Sequence, residues 1–420
     1  MTQQVVNDSQ TNGAIAEVQH KHWTFRYVMV FASYFTVFCS IHSYASIYLL
    51  DRGFNNSQIG ILLAIANIIS ALIGPVVAGK IDKKQMTNIG ASKVMCGMIL
   101  VLSAVLYAAQ DSFVAVFAIF GILYLLHMIY QSLLIALSFE YNKKGCSIMF
   151  GFGRGMGSVA SALTSLFLGQ MLNYIVPAQL PVFFLIFAAF NLLCMLLFVS
   201  RSERRILSQV NEDLRTASQE GEFHDNFFSF VKAYPKYCIF LLAVMCFFFE
   251  HNLGNDFLIQ ILRPIGGKES DMGIAFFIAA MLELPVMSVF AKVAKKIDVG
   301  ILLKVSAVFF AVKGAILMFA TNMAGVYLSE CMQIFAYAII TPGAAYYATA
   351  KMSPQDQVKG QTYFNCCITI GGVFSSLIGG RLLDVYGTMV MQGVGLGVAI
   401  LGIILVFIGV EKVGDTSAAN

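Results

Sequence analysis

Apolar stretches about 20 residues long follow one another along nearly the whole chain, and each is long enough to cross a hydrocarbon core of about 30 Å as a helix. Twelve are read, at 24–50, 57–79, 87–108, 112–137, 149–174, 180–200, 236–260, 271–293, 298–320, 323–348, 358–382 and 388–410. Backbone groups in lipid must be satisfied within their own segment, so helices are expected rather than strands. With 58% apolar and only 12% charged residues, the chain does not divide into a packed core and a wetted surface. The expectation is an all-α, multi-pass membrane protein whose surroundings are a lipid bilayer.

Basic residues set its orientation, because cytoplasmic loops retain Lys and Arg. One side collects Lys21, Arg26, Lys80, Lys83, Lys84, Lys143, Lys144, Arg201, Arg204, Arg205 and the basic residues of later loops to Lys412; the other has Arg52, Arg263, Lys268 and Arg381. Both termini are therefore expected in the cytoplasm of a cell bounded by this membrane, which requires an even number of spans. The first 20 residues contain no apolar h-region, so no cleaved signal peptide is expected. The net charge of +4 is explained by these loops and does not argue for a nucleic-acid partner. The nine cysteines show no C-x-x-C pair and no accompanying His spacing, so no metal centre is expected.

The longest polar stretch, 201–235, separates six spans from six and has the composition of a cytoplasmic linker. It divides the chain into a tail (1–23), two halves (24–200 and 236–410) and a second tail (411–420). The halves echo each other: AGKID (78–82) after the second span matches AKKID (294–298) after the eighth, and SLFLGQML (165–172) matches SSLIGGRLL (375–383) apart from one inserted residue. Such repeats fit two pseudo-symmetric six-helix bundles with a solute bound between them near the midplane.

Within the second half, Glu250, Glu283, Lys313 and Glu330 lie inside apolar runs. A charge at the bilayer centre costs at least ~2.5 kcal/mol, so such groups face a wet cavity or a partner and mark a transport path. Lys313 and Glu330 lie about seven residues from the same outer edge on successive spans, a similar depth at ~1.5 Å per residue, and are expected to pair. Glu283 has no basic partner in its own span; desolvation favours its neutral form, which makes it the better proton carrier. Arg154 stays charged and sits among Gly151, Gly153, Gly155 and Gly157, which let a backbone or a solute hydroxyl approach the guanidinium. The competing structural role is a staple to Glu140. The same glycines do not make a phosphate loop, having no strand before them and no Gly-Lys-Ser/Thr after. No nucleophile or metal motif supports an enzyme.

Twelve spans, a long central loop, a short basic 2–3 loop (GKIDKK, 79–84) and repeated halves resemble the major facilitator superfamily. EYNKKGCSIMFGFGRGMGSVASAL (140–163) is similar, without gaps, to the fourth-to-fifth span region of its oligosaccharide:proton symporter branch, whose FGxxR…G pattern is met by Phe150, Gly151, Arg154 and Gly157. LELP (282–285) matches the place of that branch's eighth-span Glu, and Lys313 that of its ninth-span basic residue. The resemblance implies import of a small polar solute (a sugar, oligosaccharide or nucleoside) with protons, by alternating access, without a cofactor and in a monomer. It also implies a gating role for Lys80 and Asp82 in the 2–3 loop. The departures are specific. The branch's sugar-stacking Trp falls on Ser161, the acid that pairs with its fifth-span Arg on Ala136, its tenth-span His and Glu on Gln333 and Ala336, and its eleventh-span Lys near Ile368. A galactoside site is therefore not expected, and the proton site has moved.

Arg154, His42, Glu250, His251, Gln333 and Asn365 are accordingly expected at the solute, with Glu283, Glu330 and Lys313 coupling the proton. The alternatives are a drug:proton antiporter, against which the fifth span lacks the expected Gly-Pro signature, and a transporter-like nutrient sensor, against which the tails are short.

Overall fold

The computed structural model describes residues 17–83, 85–207, 227–353 and 356–413. The long helices are α1 (Trp23–Ser43), α2 (Asn56–Asp82), α3 (Asn88–Ala108), α4 (Phe113–Lys143), α5 (Phe150–Met171), α6 (Leu180–Leu197), α7 (Pro235–Asp256), α8 (Glu269–Ala294), α9 (Val299–Met318), α10 (Met323–Lys351) and α11 (Gln357–Gly409). Among the described residues, ten helices are long and apolar enough to cross a membrane. Strands are absent among the described residues. Outward-facing side chains such as Leu72, Val114, Leu197 and Ile408 are large, apolar and exposed, as lipid-facing surfaces require.

Polar N-caps start several helices: Asn55, Thr87, Ser112, Asp298 and Asn322 each accept a hydrogen bond from a first-turn amide, satisfying donors that have no intrahelical partner. The ends differ from expectation in several places: α1 stops at Ser43 rather than 50 and α7 at Asp256 rather than 260, each followed by a short separate helix, Ala45–Asp51 and Leu258–Leu262. The fourth helix continues to Lys143 rather than 137. No loop follows residue 382; α11 stays helical and breaks at Gly387 alone, whose φ of +78° suits a residue without a Cβ. The 357–386 and 388–409 arms thus meet at one residue.

In the first half α1 packs on α5 and α6, and α3 on α4 and α6; in the second, α7 packs along α11, and α9 on α10 and α11. The first half is tied through Asn191 of α6, which donates to the Val30 carbonyl (3.0 Å) and to Ser33 (2.9 Å) and accepts from Tyr130 (2.9 Å). Where lipid offers no partner, such polar contacts hold helices together.

The halves meet along α2 with the 357–386 arm and along α5 with α8. Hydrogen bonds that cross between them gather at the end remote from the described chain ends. Asp384 accepts there from the backbone amide and side chain of Asn56 (3.2 and 2.8 Å) and from the amide (2.7 Å) and hydroxyl of Ser57. Ser46 donates to the Asp256 carbonyl, Gln260 to Asn56 (2.9 Å) and Ser165 to the Gly273 carbonyl (3.2 Å). At this last crossing a Cβ on Gly169 would lie 2.9 Å from both the Glu269 carbonyl oxygen and the Gly273 Cα, so the two backbones touch only because both residues are glycine.

The opposite end is fastened within each half. Glu203, on the short helix Arg201–Leu207, accepts from Lys21 (2.9 Å), Arg26 (3.0 Å) and the Ser200 amide (2.9 Å). Burial pushes the Glu203 carboxyl up, but the Arg26, Ser200 and Lys21 donors together outweigh it and hold the group down at about 2, against 4.5 ordinarily. A depressed carboxyl contributes stability that is complete above the unfolded value and is lost as pH falls through the folded one. Wild-type thermal stability is therefore expected to lose this contribution between about pH 4.5 and 2, and Glu203→Gln to flatten that part of the pH–stability curve. An unchanged curve in the variant would show that the contact contributes nothing. Of the linker between the halves, residues 208–226 lie outside the described residues.

Candidate functional site

Two helices lose regular geometry where they reach the middle of the molecule. In α1, Cys39–Ser43 form a π-turn; in α10, Met332–Ile334 form a 3-10 turn. Such departures free backbone groups and re-aim side chains, and they concentrate at functional sites. Here they present His42 and Gln333 to one cavity of about 360 Å³ between the two halves, within the ~300–1,000 Å³ typical of small-molecule sites.

Arg154, His42, His251, Glu283, Glu330 and Gln333 all line this cavity. Arg154 donates to Ser158 (3.0 Å) and lies 4.8 Å from the Phe35 ring centroid. It does not bond Glu140, which takes Lys144 instead (2.6 Å), so the structural staple considered from the sequence is not formed. In the second half, Glu283 accepts from Gln333 Nε2 (3.0 Å). Neither Arg154 nor Glu283 has an ion-pair partner among the described residues.

Lys313 and Glu330 are paired at 3.0 Å, and Lys313 also donates to Gln333 Oε1 (2.8 Å). The chain Glu330–Lys313–Gln333–Glu283 is thus continuous across α9, α10 and α8, and it runs from a buried ion pair to an unpaired carboxylate facing open space. His251 bonds Asn255 (3.0 Å) through Nε2 and stacks on Tyr337, centroids 5.4 Å apart. His42 is stacked between Phe38 (4.8 Å) and Tyr124 (5.1 Å) with its Nδ1 unpartnered.

Three expected site residues lie elsewhere. Lys313 is buried behind the cavity wall at 3% exposure, and Glu250 is turned away from the cavity at 6%. Asn365 is exposed, one turn short of the lining residues Ile368, Thr369 and Gly372. Lys80 is exposed in the last turn of α2 beside Asp82, whose side chain lies outside the described residues. The positions where the resemblance places a sugar-stacking Trp and a Lys, Ser161 and Ile368, do line the cavity.

Reading the sequence missed Asp256, Asn252 and Asn255, which also line the cavity. The signal was present: with His251 they sit at positions i, i+1, i+4 and i+5 of α7, one polar face of an otherwise apolar helix. Asp384 was missed because its role depends on which helices face each other, and periodicity does not show that.

The sequence matches no curated protein. Among solved structures, the chain is similar to the nucleoside transporter NupG (TM-score 0.74, 14% identity, covering 92% of this chain and 98% of that one). It is also similar to an auto-inhibited POT family peptide transporter (0.67, 9%, 91% and 95%). A third likeness is to a bacterial homolog of the human lysosomal transporter Spinster in an inward-facing, occupied conformation (0.63, 13%, 93% and 97%). These likenesses are of fold. The profile of the MFS_1 like family matches residues 22–392; the chain therefore belongs to that family, within the major facilitator superfamily, and is a membrane transporter rather than an enzyme.

Proposed function

We propose that the chain crosses a cell membrane twelve times, as two six-helix bundles with both termini in the cytoplasm, and imports a small polar solute together with protons. It works as a monomer, needs no cofactor and binds no nucleic acid. The solute is a sugar, an oligosaccharide or a nucleoside; NupG, of similar fold, is a nucleoside transporter. The observation that carries this reading is that Arg154 of the first half and Glu283 of the second, neither ion-paired among the described residues, line one cavity. A polar solute that bonds both links the two bundles, so its arrival favours closure around it.

The remaining parts follow from their positions. Hydroxyls or ring nitrogens of the solute meet Arg154, His42, His251 and Gln333, while Glu283 takes the proton and Lys313 with Glu330 fixes the Gln333 carboxamide that holds it. Glu250 and Asn365, away from the cavity wall, do not touch solute in this state. With the terminal end cytoplasmic, the cluster of crossing bonds at Asp384 is an outer seal and the conformation is inward-facing. Lys80 and Asp82 belong to the opposite, inner gate.

The reading is tested by uptake of radiolabelled sugars and nucleosides into proteoliposomes under an inward proton gradient. Gradient-dependent accumulation of one class supports it, and exclusive efflux of apolar cations overturns it. Asp384→Ala removes four hydrogen bonds to a charged acceptor, each worth about 1.5–3 kcal/mol, and is expected to shift the population at least tenfold toward the outward-open state. Spin-label distances across residues 54 and 386 read that shift. A distribution identical to wild type would move the seal elsewhere.

A further inference from the structure

Glu250 is the one buried carboxylate of the core that neither lines the solute cavity nor forms an ion pair among the described residues. It faces a separate void of about 10 Å³, enclosed by Leu253 and Gly254 of its own helix, Gly314 and Leu317 of α9, and Gln392 and Gly395 of the 388–409 arm. Two polar atoms of residues lining this void have no hydrogen-bond partner among the described residues: Glu250 Oε2 and Gln392 Oε1. A carboxylate oxygen and a carboxamide oxygen are both acceptors. Two buried acceptors beside one void are each expensive to leave unsatisfied, and the void holds at most one water. A proton on Glu250 supplies the missing donor, since a carboxyl O–H donates where a carboxylate only accepts; a turned Gln392 carboxamide would instead offer Nε2 to an ionised Glu250, and only the first puts a carboxyl C=O band in the infrared spectrum.

We propose that Glu250 is a second proton-binding site, closed off from the solute, and that in this conformation Oε2 carries a proton donated to Gln392 Oε1 directly or through one water. The charged and titratable groups facing it are Lys313 of α9 and Glu330 of α10, with His251 beside it on α7; the 388–409 arm contributes the neutral Gln392. Glu250 Oε1 already lies against Gly314, where an added Cβ would come within 2.6 Å, one residue from Lys313. The consequence is a link between proton and solute. While Glu250 is protonated, Lys313 serves Glu330 and Gln333, and Gln333 in turn holds Glu283 at the cavity wall. Loss of the proton gives Lys313 a second anionic partner behind the wall. The pull on Gln333 slackens and the solute site loosens, so proton and solute favour each other's binding, as symport requires.

This role rests on the proton-coupled reading above, but the site itself is observable without transport. The experiment is infrared difference spectroscopy of the full-length protein in liposomes, without solute, titrating pH in choline chloride and again in sodium chloride. A carbonyl band of a protonated, buried carboxyl is expected to appear on acidification. It should be lost in Glu250→Gln, be retained in Glu283→Gln, and move to higher frequency in Gln392→Leu, where its hydrogen bond is gone. Glu283 contributes a band of its own, so the proposal is overturned if no band is lost in Glu250→Gln, or if the band lost there is unmoved by Gln392→Leu. A band abolished by sodium but not by choline at fixed pH makes the site one for an alkali cation and overturns it equally. Failure of the solute reading instead shows as absent transport with this band intact.

Discussion

Glu283→Gln is expected to exchange solute across the membrane at close to the wild-type rate while losing all uphill accumulation. The amide copies the shape and hydrogen bonding of the protonated carboxyl, so the cavity and its bond to Gln333 (3.0 Å) survive in the variant. What should be lost is the release of a proton that the proposed cycle makes after each turnover. A gradient of one pH unit is worth about 1.4 kcal/mol per proton, or about tenfold accumulation; in the variant the internal concentration should rise only to the external one. Counterflow of labelled solute against unlabelled, measured beside gradient-driven uptake, separates the two. Accumulation that persists in Glu283→Gln would move the carrier to another carboxyl. Loss of both binding and exchange would make Glu283 a solute ligand first.

The second large effect is expected at the ion pair. Lys313 and Glu330 are almost wholly buried, at 3% and 1% exposure, so removing one leaves an uncompensated charge at a cost of about 3–5 kcal/mol. Lys313→Ala and Glu330→Ala should each reduce folded yield and melting temperature sharply, and the double variant should recover most of the loss while remaining defective in coupling. Because Gln333 also bonds Lys313 (2.8 Å), recovery need not be complete. Additive losses in the double-mutant cycle would show that the pair is not an energetic unit.

The helices were legible in the sequence because the bilayer forces each apolar run to satisfy its own backbone, so length and composition suffice. Their ends were less so: α4 extends past residue 137 through polar residues that water at the interface tolerates, and α11 replaces an expected loop by one left-handed glycine, Gly387. The pairing of Lys313 with Glu330 was visible because depth along successive spans follows from counting residues. Which face of a helix meets the cavity was not. Glu250 and His251 are neighbours in sequence, about 100° apart around α7, and only the second faces the cavity. Asn365 fails for the same reason, one turn out of register with Thr369. The hydrogen bonds gathered on Asp384 needed the contact between α2 and the 357–386 arm, a long-range fact with no local signature.

The proposal that solute and proton move together is tested most directly by following the lumen pH of proteoliposomes, with the membrane potential clamped and no initial pH gradient, while a transported solute is added outside. Downhill solute entry is expected to acidify the lumen in proportion to the solute taken up, and the acidification should vanish in Glu283→Gln. Solute entry at the same rate with no change in lumen pH would contradict it.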